Sequence, residues 1–286
     1  MVTRLFNVAP EPLVAPVMVT VPALIASALP PSTMVFSATV FEALKTVELK
    51  VMLVAGALLS AAAWAGMAYE SLWIQSVLGR SAIQAGLIFL PCAFAAFVTS
   101  AVVGRVMHRA HPRLFIGIGL LVIAAGALAQ AVIRTGSGWA VVIPGLVLVG
   151  IGAGLALAPL STTAMSAVPW QQAGMAGGAL SAFRQLGYAL GVAVLGEVFR
   201  GGLTRVAGSA LAAPLGGGEA GAVMAANPRL TPVVHRAFAS GLDTMFLAAA
   251  GLGLIAAIAV FAMVKKTPVG GAAPHPAPAA SAEVAA

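Results

Sequence analysis

Residues 82–104 read AIQAGLIFLPCAFAAFVTSAVVG, 23 consecutive positions without a charged side chain. A helix rises about 1.5 Å per residue, so this stretch extends about 35 Å. That is enough to cross the roughly 30 Å hydrocarbon core of a bilayer. A helix packed on a soluble core needs a polar face for water, and here Gln84, Thr99 and Ser100 are the main polar side chains. The stretch predicts a membrane-spanning helix.

The composition extends that reading to the whole chain. Hydrophobic residues make up 60% and charged residues 8%, and the mean hydropathy is +1.03. Soluble domains carry about 25% charged residues, so this chain lacks the polar surface to cover a water-facing globule. Its net charge of +7 does not indicate nucleic acid, because the basic residues are scattered and form no aromatic-rich stripe. In lipid, positive charge orients spans instead. One cysteine, Cys92, and four scattered histidines give no disulfide framework and no metal-ligand spacing. Cys92 reads as a small packing residue.

Five more segments reach or approach spanning length. With 82–104, the expected helices are 51–75, 114–133, 139–165, 177–198 and 241–264. The expectation is an all-α integral membrane protein, a six-helix transmembrane bundle over 51–265. Residues 1–40 read as an irregular, proline-rich segment, and 41–50 as a short interfacial helix. Residues 199–240, rich in Gly and Ala, read as an irregular external loop with a short helix near Pro232. The Ala-Pro tail, 266–286, reads as disordered and cytoplasmic. Pro91, Pro144 and Pro159 are expected to kink or break their helices. An even number of spans puts both termini on one side. Lys45, Lys50, Arg105, Arg109, Arg113, Lys265 and Lys266 then share that side, which the positive-inside rule makes cytoplasmic.

Few polar residues lie inside the spans. Arg184 costs about 2.5–3.5 kcal/mol near a bilayer centre and needs water, a partner or a route to the interface. With Ser181, Tyr188 and Gly191 it follows the three-and-four spacing of one helical face. It reads equally as a cavity or gate residue and as a snorkelling anchor. Glu70, beside Tyr69 and before Trp73 and Gln75, reads as a proton or cation site, or as an interfacial residue in an aromatic belt. Gly150 and Gly154 form one Gly-x-x-x-Gly pair and Gly187 and Gly191 another, the spacing that lets helices approach closely in lipid. No nucleophile elbow, zinc-helix pair or phosphate loop is present, so the sequence offers no enzyme and no cofactor site.

Two blocks carry a resemblance. The run Tyr69-Glu70-Ser71-Leu72-Trp73-Ile74-Gln75-Ser76-Val77-Leu78-Gly79, followed by Ser81-Ala82-Ile83-Gln84-Ala85-Gly86-Leu87 and Leu90-Pro91, resembles the major facilitator superfamily. More narrowly it is similar to the fourteen-helix drug:proton antiporter branch. Gly174-Met175-Ala176-Gly177-Gly178, with Arg184-Gln185-Leu186-Gly187 and Ala189-Leu190-Gly191-Val192-Ala193, resembles the penultimate helix of that branch. Gly104, Arg109 and Arg113 match positions of the family's cytoplasmic loop motif, whereas His108 and His111 stand where it has Asp and Gly.

The resemblance covers roughly residues 50–265 and implies the carboxy-terminal half of a transporter in the cell membrane. Residues 1–40 resemble no helix of the family. The chain therefore reads as truncated, misassigned at its start, or a half-transporter that works with an amino-terminal half or as a homodimer. The expected function is proton-coupled efflux of amphipathic or cationic drugs, with Glu70, Gln75, Arg184, Gln185 and Tyr188 as cavity contacts. The alternative is an inactive remnant or a non-transporting membrane assembly subunit. The lipid bilayer, a small-molecule substrate and protons are the implied partners.

Overall fold

The computed structural model describes residues 47–107, 111–132 and 138–263. The expectations for residues 1–40, for most of the interfacial helix, for Arg109 and for the tail lie outside the described residues. Among those described there is no strand, and six helical spans are long and apolar enough to cross a membrane.

The first span is made of α1 (Val47–Ala63) and α2 (Ala65–Ser76). The others are built on α3 (Ala82–Val106), α4 (Pro112–Gln130), α5 (Ile143–Ser166), α6 (Ala173–Ala207) and α9 (Thr231–Met263). Two short helices, α7 (Ser209–Gly216) and α8 (Ala220–Ala226), connect α6 to α9.

The expected proline breaks do not occur. Pro91 lies within a continuous α3 and Pro159 within a continuous α5, while Pro144 sits in the first turn of α5. In that first turn the missing N–H has no partner to lose. The interruption is instead at Trp64, which is not next to a proline. There the Trp64 amide still reaches the Ser60 carbonyl at 3.1 Å, but the Met67 amide bonds the Trp64 carbonyl at 3.2 Å. A three-residue closure of this kind tightens the helix locally.

The connection between the last two spans is also shorter and more helical than its composition suggested. α6 runs nine residues past the expected end at 198, and α9 begins ten before the expected start at 241. Alanine is the strongest helix former, so an Ala-rich segment stays helical after it leaves the lipid. The 35 residues of α6 span about 52 Å, well beyond a bilayer core. α6 stops at Gly208, whose φ of 78° is a conformation that side chains resist.

α3 begins with reciprocal caps. The Ser81 hydroxyl accepts from the Gln84 amide at 3.3 Å, and the Gln84 side-chain oxygen accepts from the Ser81 amide at 3.2 Å. Such a box satisfies two of the helix's orphan donors. Ser81→Ala is expected to cost about 1 kcal/mol, read as a lower melting temperature in detergent. Unchanged melting would show that the cap contributes nothing.

Small residues set the packing. On α5, Gly150 and Gly154 face α3, where a β-carbon at 154 would lie 2.6 Å from the Ala96 carbonyl oxygen and one at 150 would collide with Cys92 backbone. Gly152 points the other way, toward Gly119 and Ile123 of α4. α5 can therefore seat a helix on each side. On α6, Gly187 lies against the Ala57 backbone of α1, and a β-carbon at Gly191 would be 2.7 Å from the Ala61 Cα. α9 packs on α1, α4 and α6. α3 is the least covered span, with 17% of its most apolar window buried, against 67% for the α1–α2 span.

Candidate functional site

The α1–α6 seam opens, on one side, into a cavity of about 310 Å³. This is within the roughly 300–1,000 Å³ typical of ligand pockets. Ser60 and Trp64 line it from the first span, and Ser181, Arg184, Gln185 and Tyr188 from α6. The four α6 residues fall at i, i+3, i+4 and i+7, so one helical face presents them all. Ser60 and Trp64 are a turn apart at the end of α1, where the helix tightens.

Arg184 lies slightly farther along its helix than the sequence suggested. α6 begins at Ala173, which puts Arg184 eleven residues, about 17 Å, from the helix start. Its stem packs over Gly56, where a β-carbon would lie 3.2 Å from the Arg184 Cγ. Its Nε is buried and has no hydrogen-bond partner. Its side chain lines the cavity.

Glu70 lies elsewhere. It is fully buried between the helices (0% exposed). One carboxyl oxygen accepts from the Gln130 amide of α4 at 2.9 Å, and the other has no partner. A void of about 10 Å³ adjoins the pair, walled by Gly66, Met67, Leu146 and Phe246 among others. The burial arises because α2 turns Glu70 inward, against α4 and α5, while Tyr69 faces α6. The Tyr69 hydroxyl donates to the Val192 carbonyl at 2.7 Å, and its ring lies 5.1 Å from that of Phe199.

The remaining candidates do not join either group. Gln75 is exposed near the end of α2, where its amide donates to the Ser71 hydroxyl at 2.8 Å. Gly104 has open space where a β-carbon would be. Arg113, at the start of α4, donates to the Phe261 carbonyl of α9 and sits over the Phe261 ring, 5.9 Å from its centroid. Its described contacts therefore tie α4 to α9.

Of five expected cavity contacts, Arg184, Gln185 and Tyr188 share the cavity, and Glu70 and Gln75 do not line it. Sequence reasoning missed Ser60, Trp64 and Gln130. The available signals were the four-residue spacing of Ser60 and Trp64, and a lone amide at the end of an otherwise uncharged span.

Known proteins match this chain along much of its length. The family profile described as Major Facilitator Superfamily matches residues 8–192. That match begins inside the proline-rich segment, which corrects the expectation that residues 1–40 resemble nothing in the family. The chain is 39% identical over 126 residues to the multidrug resistance protein Stp of Mycobacterium tuberculosis, covering 44% of this chain and 23% of that protein. It is 30% identical over 217 residues to the tetracenomycin C resistance and export protein of Streptomyces glaucescens, covering 68% and 40%. With the multidrug efflux pump LfrA of Mycolicibacterium smegmatis, identity is 30% over 200 residues, covering 65% and 40%. The chain matches less than half the length of each of these relatives. The profile match and the six apolar helices lead to one assignment: this chain is a multi-pass membrane protein that belongs to the Major Facilitator Superfamily of transporters.

Proposed function

We propose that this bundle is one half of an exporter of small amphipathic compounds, of the fourteen-helix drug:proton antiporter branch, that exchanges them for protons. It faces a second six-helix bundle, in the same assembly or as a second copy of itself. Both chain ends lie on the cytoplasmic side of the cell membrane. The observation that carries the reading is the convergence of Ser60, Trp64, Ser181, Arg184, Gln185 and Tyr188 on one cavity. A polar cavity at spanning depth is costly to maintain in lipid and marks a binding pathway. The names of the relatives, a multidrug resistance protein, a tetracenomycin C resistance and export protein and a multidrug efflux pump, suggest the direction and kind of cargo.

In this reading Glu70 is the proton site. A buried carboxyl that bonds one amide and leaves its second oxygen open has no counter-ion to hold its charge. Its protonation is therefore coupled to opening of the α2–α4 contact. Alternating access then rocks this bundle against the other around the cavity.

Accumulation of a fluorescent substrate in cells expressing the chain, alone or beside an amino-terminal six-helix half, tests the proposal. We expect lower accumulation with the intact cavity and a return to the control level with Ser181→Trp, which fills an exposed cavity position. Equal accumulation in all cells would reject transport. Reporter fusions at the two ends should fall on the same face; opposite faces would reject the orientation.

A further inference from the structure

We propose that the Arg184 cavity selects acidic amphipathic compounds: an anionic group such as a carboxylate, sulfonate or phenolate carried on an aromatic frame. This rests on the cavity being the substrate site and names the class of cargo it takes. It differs from the sequence-based expectation of cationic drugs, which relied on Glu70 as a cavity contact.

The structure separates the two charges. Arg184 is the one charged residue among those lining the cavity, and no carboxylate lines it. Glu70 is enclosed with Gln130 in a separate void. Among the described residues Arg184 forms no ion pair, and its buried Nε is unpaired. A cation entering here would meet a guanidinium with nothing to offset the repulsion. An anion would satisfy the fork of donors that suits carboxylate geometry, and would remove the cost of holding an unpaired arginine at this depth. Hydroxyls of Ser60, Ser181 and Tyr188 surround the same space and add donors for further oxygens. Trp64 supplies an aromatic wall for the frame.

Purified chain in lipid nanodiscs, titrated with two dyes of one xanthene frame, separates the possibilities. Fluorescein is the anionic probe and rhodamine 123, whose carboxyl is a methyl ester, the cationic one, each followed by fluorescence anisotropy, with the melting temperature of every variant recorded. The expected result is tighter binding of fluorescein. Arg184→Gln should weaken fluorescein by about 10–100-fold, the range for a hydrogen bond to a charged group, and leave rhodamine 123 unchanged or improved. Arg184→Lys, which keeps the charge and loses the fork, should recover part of the loss. Ser181→Trp should weaken both dyes.

If Arg184→Gln shifts both dyes equally, or neither, while Ser181→Trp still abolishes binding, the cavity holds ligand but anion selection is overturned. Stronger wild-type binding of rhodamine 123 overturns it in the same way. If Ser181→Trp leaves binding unchanged, or neither dye binds wild-type protein, the cavity reading itself fails and the proposal with it.

Discussion

A valine at position 187 is expected to open the seam between α1 and α6. A β-carbon at Gly187 would already overlap the backbone of Ala57, and backbone cannot turn aside as a flexible side chain can. Overpacking a tight contact costs about 1–3 kcal/mol and occasionally more. Two further methyl groups at a backbone contact place Gly187→Val at the upper end of that range. The same seam forms the cavity, so loss of packing and loss of ligand should coincide. Gly178 is the control: it lies on the same helix, exposed, with open space where a β-carbon would go. There Gly→Ala should be neutral or stabilising by up to about 1 kcal/mol, because alanine restricts the unfolded chain. Size-exclusion profiles and melting in detergent give the readout. If Gly187→Val and Gly178→Ala behave alike, the close approach of α1 and α6 does not hold.

The second large effect concerns Glu70 and is functional. Glu70→Gln keeps an oxygen that can accept from Gln130 and removes the group that exchanges a proton. The bundle should fold, dye binding at the Arg184 cavity should persist, and export driven by a pH gradient should fall to the level of vesicles without the chain. Export at the wild-type rate would remove Glu70 from the coupling mechanism. Stability tests the pairing independently. Gln130→Leu leaves the buried carboxyl without its amide, and Glu70→Leu leaves the amide without its carboxyl, so each single change should destabilise. The double replacement removes both polar groups and should recover much of the loss. Interhelical hydrogen bonds in membranes average about 0.6 kcal/mol and reach about 1.7. Burial of both residues, at 0% and 3% exposure, puts this coupling near the higher figure. A coupling of zero would mean that the two side chains do not hold α2 against α4.

The six spans were legible because the bilayer imposes a length and an apolar composition that can be read one residue at a time. The 23 uncharged residues from Ala82 needed no tertiary information, and the start of α3 at Ala82 agrees with the structure. Helix ends outside the lipid were harder, since nothing there forces a change of composition; α6 and α9 ran on through an Ala-rich segment that looked irregular. Proline was a poor guide to the break in the first span. α3 and α5 tolerate Pro91 and Pro159, and the interruption at Trp64 has no composition signal.

For the site, one helix carried most of the information. Arg184, Gln185 and Tyr188 share a face of α6, and a helical period is enough to group them. Grouping across helices was beyond the sequence. Glu70 and Arg184 are the two conspicuous charges of the inner spans, and one dimension gives no reason to separate them. Sequence determined which of the described segments are long and apolar enough to cross the membrane and which rare polar residues they carry in. Tertiary structure alone decided that Glu70 turns to Gln130 while Arg184 turns to Ser60 and Trp64. Which neighbour a polar side chain meets depends on how helices are rotated and how closely glycine lets them approach, and both are set by packing between segments far apart in the chain.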